Sequence, residues 1–256
     1  MSDPGRRYSW EDYLYPAPAG ELPVLRNLRG TRDFAQAQIE ERILTAGRAE
    51  ELHRNPEFVE RTFEVTHWKA LHRQLFQDVW GWAGQFRTVD IAKGSSGFTR
   101  HGHLDEHAEL LLGQVREQRM FAGQKRAQAG RNLAITYQGM NSLHPFREGN
   151  GRVQRLLLSH IAEAGGLLID WQRISPDEQN HAAAASFAGN LQPLIAALEK
   201  AVIPVARGGS TPAATTPVAT AALHALPRRS KDLGTPARPP SGPPARRHDP
   251  PAARGR

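Results

Sequence analysis

The run HPFREGNGRVQR, residues 144–155, brings a histidine, a carboxylate, a glycine-asparagine-glycine turn and two arginines to close quarters. A phosphate-transfer site needs those parts. A histidine titrates near neutrality and can take a proton from an attacking hydroxyl, which makes His144 the candidate general base. Glu148, just before the turn, is the candidate magnesium ligand, since that ion favours one or two carboxylates together with substrate phosphates. Gly149 and Gly151 make the turn permissive and let a ligand approach the backbone. A loop that feeds a helix N-terminus presents unpaired N–H groups and the positive end of the dipole, a ready anion site. Arg152 and Arg155 lie three apart and can point the same way from the first turn of that helix. The dipole does not favour arginines there, so the pair makes sense if a polyanion sits between them.

Two helices must hold this loop. Leu133, Ile135, Tyr137, Met140 and Leu143 recur at roughly helical spacing, and Pro145 biases His144 out of the helical region, so the first helix ends at the motif. Val153, Leu156, Leu157 and Ile161 share a face of the second, which Gly165-Gly166 stops.

The run resembles the Fic family motif H-x-F-x-[DE]-G-N-G-R-x-x-R, met at every fixed position by His144, Phe146, Glu148, Gly149, Asn150, Gly151, Arg152 and Arg155. The resemblance implies that His144 activates a target side-chain hydroxyl and that Phe146 anchors the loop. It further implies that Glu148 positions Mg2+, that Gly149, Asn150 and Gly151 cradle the α- and β-phosphates of ATP, and that Arg152 and Arg155 hold the outer phosphates. AMP would pass to a Ser, Thr or Tyr hydroxyl of a target protein, with pyrophosphate leaving. A phosphorylating branch of the family carries lysine at the second glycine of the turn. Gly151 therefore points to nucleotidyl transfer. A different donor, UTP or CDP-choline, and a non-catalytic Fic-fold binding module are the alternatives.

Upstream, residues 86–91 mix β-branched and polar side chains ahead of the turn signal Lys93-Gly94-Ser95-Ser96-Gly97, which predicts a short hairpin. It resembles the Fic flap, which would hold the target protein's backbone by strand addition over about residues 86–100. Lys93 and Gly94 align with a flap position that touches nucleotide in relatives. His101 and His103 have metal-like spacing, but no cysteine or paired acid completes a site. Trp68, Trp80 and Trp82 read as core, and His72 and His160 as histidines within helical patterns.

The chain holds 33 Lys+Arg against 26 Asp+Glu, a net charge of +7. Nine of those bases and two of those acids follow Ile203, so residues 1–203 carry 24 of each sign and the excess belongs to the tail. A nucleic-acid partner for the folded part loses its support. The tail, rich in Pro and Ala and without aromatics, is expected to be disordered, because it cannot bury enough surface to offset its ordering entropy. No apolar run approaches membrane-spanning length, and the N-terminal ten residues have no apolar core of a signal peptide. The reading is cytoplasmic, with export as an effector as the alternative.

The expected architecture is all-α: a Fic-fold helical bundle with a small β-hairpin flap and a disordered tail. Its parts are a lead-in over 1–30, a catalytic domain over 31–203 and a basic tail over 204–256. Helices are predicted over 31–52, 66–80, 104–120, 126–143, 152–164, 176–187 and 191–202, and the flap carries the only strand signal. Many family members carry an inhibitory helix, [ST]-x-x-x-E-[GN], whose glutamate pairs with the second motif arginine, here Arg155. Thr45 misses that pattern by one position, Ser175 has Gln179 in place of the acid, and nothing follows Glu199 that could supply it. The resemblance thus implies that no inhibitor is built in and that restraint comes from a separate small antitoxin-like protein, or that activity is limited by location.

Overall fold

The computed structural model describes residues 8–17, 21–93, 96–205 and 235–236. Seven helices form among them: α1 (Phe34–Arg54), α2 (Val65–Phe76), α3 (Leu104–Glu117), α4 (Arg126–Leu143), α5 (Asn150–Ala164), α6 (Pro176–Phe187) and α7 (Gln192–Ala201). Local signals set several of their ends. Asp33 accepts a hydrogen bond from the Gln36 N–H and caps α1, while Ser175 and Glu178 form a reciprocal capping box on α6, with Pro176 at its first position.

The two helices that flank the motif lie at the centre. α4 packs against α3, α5, α6 and α7, α5 packs against α2, and α2 packs against α1. Leu104, Ala108, Leu112 and Val115 recur on one face of α3 and are buried, as are Leu133, Tyr137 and Met140 of α4 and Val153, Leu157 and Ile161 of α5. Burying a leucine fully stabilises by about 2 kcal/mol, so these faces lock α4 and α5 side by side. The tryptophans Trp68, Trp80 and Trp82 are core residues as expected.

The flap is the hairpin of β1 (Ile91–Lys93) and β2 (Ser96–Gly97), with Ala92 opposite Gly97 and Lys93 opposite Ser96. A second small sheet was not foreseen: β3 (Leu167–Ile169) pairs antiparallel with β4 (Val202–Pro204), Leu168 opposite Ile203. Three-residue strands are too short for alternation to register, and Val202 had been assigned to the preceding helix. Of the tail, Thr235–Pro236 form β5 against the free side of β1. Residues 206–234 and 237–256, where the rest of the tail expectation falls, lie outside the described residues.

Two helix ends also differ. The pattern over 66–80 predicts one helix, but α2 stops at Phe76 and turns carry the chain to Trp80 and Trp82. The pattern over 104–120 breaks at Glu117, since Arg119, Met120 and Phe121 have φ of 52°, 51° and 65°. There the Met120 carbonyl crosses α5's end so closely that a Cβ on Gly165 would lie 2.2 Å from it. The stop after α5 is thus a close backbone approach as well as a C-cap.

Candidate active site

At the end of α4, His144 adopts a left-handed conformation (φ 43°, ψ 58°), and its N–H donates to the Met140 carbonyl at 3.0 Å. This is the departure from helix that Pro145 predicts. Phe98, just past β2, stacks on the imidazole at 4.2 Å between centroids and 18° between planes, with the Phe187 ring edge-on at 5.3 Å. Arg87 underlies this corner. Its side chain is fully buried. It donates from Nε to the His144 carbonyl at 3.0 Å, from Nη1 to Val89 O at 2.8 Å, and from Nη2 to Leu143 O at 3.2 Å and to Thr99 O. Burial lowers its pKa to about 10, so it stays charged at neutral pH. The Arg87 N–H donates to the Pro145 carbonyl at 2.8 Å. One side chain thus ties both sides of the flap's base to the histidine that the chemistry would use.

The loop is closed from within. The Asn150 amide accepts from the Phe146 N–H and donates to the Phe146 carbonyl, both at 2.8 Å. Phe146 is fully buried, stacked at 3.9 Å on His72 and flanked edge-on by Trp68 and Phe86. His72 fixes its own tautomer: Nδ1 accepts the Gly84 N–H at 2.9 Å, so Nε2 carries the proton and donates to the Glu148 carbonyl at 3.1 Å. Burial pushes the His72 pKa down to about 3, which keeps it neutral. Gly149 caps α5 with φ 81°, and a Cβ there would lie 2.5 Å from the Phe76 ring. Gly151 differs from what the sequence implies. It lies inside α5, is absent from the positive-φ glycines, and its nearest neighbour to an added Cβ is Arg155 at 3.6 Å. Its contribution is open space over the helix N-terminus, not a permissive backbone.

Both motif arginines lie on the buried side of α5. Arg152 forms an ion pair with Glu41 of α1 and rests over the Phe76 ring at 4.6 Å. Burial lowers the Arg155 pKa to about 10. Glu148 accepts the Gly149 N–H at 2.9 Å. Desolvation first, and then the charge of Glu41, push its carboxyl above the usual range, with Arg152 pulling the other way. A carboxyl held uncomfortable by burial and a second acid suits a divalent cation, so the donor set fits magnesium. Among the described residues no group of three or more acids, histidines or cysteines forms a metal cluster, His101 and His103 included. An ion here would depend on substrate phosphates.

The lead-in segment completes the wall. Arg147 is buried with its guanidinium 4.6 Å from the Trp10 ring and 5.8 Å from that of Tyr13. The Tyr8 N–H donates to the Thr88 hydroxyl oxygen at 2.8 Å, and that hydroxyl donates to the Tyr8 carbonyl at 2.6 Å. Lys93 is the last residue of β1, and Gly94 lies outside the described residues. His144, Glu148, Gly149, Asn150, Gly151, Arg152 and Arg155 lie in the turn between α4 and α5 and in the first turns of α5. Sequence reasoning missed Glu41, His72, Arg87 and Phe98. Only Phe98 had a signal, an aromatic next to the predicted flap turn.

The Fic/DOC family model matches residues 62–162. The probable protein adenylyltransferase Fic of Escherichia coli is 32% identical over 195 residues, which make up 75% of this chain and 92% of that protein. The chain belongs to the Fic/DOC family. A second Fic relative, the protein adenylyltransferase VbhT of Bartonella schoenbuchensis, is 32% identical over 185 residues. That match takes in 72% of this chain but spans only 38% of VbhT. Among solved structures, the effector BepC of Bartonella tribocorum, with bound AMPPNP, matches with a TM-score of 0.66 at 20% identity, over 76% of this chain and 97% of that one. This last likeness is one of fold. No helix among the described residues is long and apolar enough to cross a membrane.

Proposed function

We propose that this Fic protein is a protein adenylyltransferase that moves AMP from ATP to a Ser, Thr or Tyr hydroxyl of another protein. The observation that carries the reading is the placement of His144. Its ring is held against Phe98, at the end of α4, in the same short loop that opens α5 with an N-terminus no side chain caps and with Arg152 and Arg155 behind it. His144 takes the proton of the target hydroxyl while that oxygen bonds to the α-phosphorus. The bond from the α-phosphorus to the bridging oxygen breaks, and pyrophosphate leaves with the electron pair. Arg152, Arg155 and the N–H groups of α5 stabilise the charge on the departing phosphates. Glu148 would hold magnesium, whose chemistry there is to neutralise phosphate oxygens.

The flap would hold the target as an added strand, which orders the backbone around the hydroxyl and demands little of the local sequence. A small separate antitoxin that covers the motif would supply restraint. The decisive assay labels ATP at either the α- or the γ-phosphate. Label from the α position should appear on protein and label from the γ position should not. His144→Ala should lower transfer about a hundredfold or more while nucleotide binding persists. Transfer by that variant at the wild-type rate would sink the reading, and preference for labelled UTP or CDP-choline would redirect it to another donor.

A further inference from the structure

A pocket for triphosphate is expected to gather positive groups, yet a carboxylate from a distant helix reaches into this one. Glu41 stands on α1, more than a hundred positions before the motif, and meets Nη2 of Arg152. The glutamate side chain is 20% exposed and that of the arginine 10%, so the pair is largely withdrawn from solvent. The Arg152 guanidinium also lies over the Phe76 ring at 4.6 Å. A guanidinium is a planar fork, and here one face rests on the ring while one terminal nitrogen is taken by the acid. Those two contacts hold the guanidinium from two sides, the ring beneath it and the acid at its tip.

The acid is electrostatically costly where it stands. It brings a second negative charge towards Glu148, and it would repel an incoming phosphate. A simple tie between α1 and α5 could be made with packed apolar groups at less expense. Orientation is the effect that offsets the cost, since an arginine displaced by about 1 Å loses much of its worth as a clamp.

We propose that Glu41 is a positioning residue of the active site, one that sets Arg152 to receive the nucleotide's phosphates. This rests on the transferase reading for what the phosphates are for, but it can be measured without transfer. The probe is a non-hydrolysable ATP analogue with magnesium, titrated calorimetrically into the full chain. Glu41→Ala should weaken binding about tenfold, the low end of what a close, desolvated charge pair is worth. Glu41→Gln offers an oxygen at the same place without the charge, and should stay within about threefold of wild type on the same scale. In an Arg152→Ala background, Glu41→Ala should change nothing further, because the positioned group is gone.

Unchanged or tighter binding by Glu41→Ala would overturn the proposal in favour of an acid that merely competes with phosphate. An undiminished loss in the Arg152→Ala background would overturn it in favour of a structural tie. If Glu41→Ala melts below the assay temperature, Glu41→Asp carries the test: it keeps the charge but withdraws the oxygens, and wild-type affinity in that variant counts against orientation. A chain that binds the analogue but modifies no protein would end the transferase reading alone and leave the role of Glu41 standing.

Discussion

The motif loop and the flap stand on either side of the same histidine, yet they are held in different ways. The loop is fixed by bonds that close over short distances, Asn150 on Phe146 and Glu148 on Gly149, and by a ring stack and a neutral histidine beneath it. The flap is tied at its base, through the Arg87 fork and through the Thr99 N–H, which donates to Ser142 O at 3.1 Å, and along β1 by the short strand β5 from far down the chain. Beyond that base its hairpin pairs through two residues on each side. The loop is closed by bonds within itself, whereas the flap depends on ties to remote segments.

Arg87 is where the two regions meet, so breaking it should damage both. Arg87→Met leaves four carbonyls, one buried and three partly so, without their shared donor, at a cost of about 3 kcal/mol in chemical denaturation. A loss below about 1 kcal/mol would mean that flap and loop are not joined there. Gly149→Ala tests the loop alone. The left-handed φ and the Phe76 ring together should cost about 3 kcal/mol and remove nucleotide affinity, measured by melting and titration. Asn150→Ala removes two buried hydrogen bonds and should cost about 2 kcal/mol, with nucleotide affinity falling in step.

Acid probes three buried histidines, of which His72 lies against the loop and His67 and His160 pair with each other. His72, His67 and His160 are held neutral by burial, with pKa values lowered to about 3, about 4 and about 2. Their folded values lie below the unfolded one, so their contribution is complete above about pH 6.5 and is lost as pH falls towards the folded values. Each should take away up to about 1.4 kcal/mol per pH unit through that window. A melting temperature that holds steady from pH 7 to pH 4.5 would contradict this. The smallest effect on stability should come from Phe98→Leu, about 1 kcal/mol, while turnover falls about tenfold because the His144 ring loses its stacking partner. Equal losses in turnover and stability would show that Phe98 serves the fold and not the ring.

Much of the site was legible because its parts sit within one short run. Phosphate chemistry at a helix N-terminus needs them consecutive, and α4 and α5 announce themselves by periodicity on either side. The residues that orient those parts were not legible. Arg87 and Glu41 come from remote segments, and one arginine or glutamate in a charged chain carries no mark of its burial. His72 was read as an ordinary histidine of a helix, which it is in position but not in partners. Gly151 shows the opposite case: of the two reasons the sequence offers for it, backbone freedom is not used, while room beside the backbone remains. The β3–β4 pair escaped because each strand is three residues long and borders a helix signal.

The Asn150 clamp carries a consequence for control. A loop that wraps its own amide around its own backbone is closed by bonds that need no nucleotide, so ligand binding has that much less ordering left to do. On the proposed reading, a regulator that stands in the nucleotide's place, or holds the target away from the flap, would act by occupancy and leave this clamp as it is.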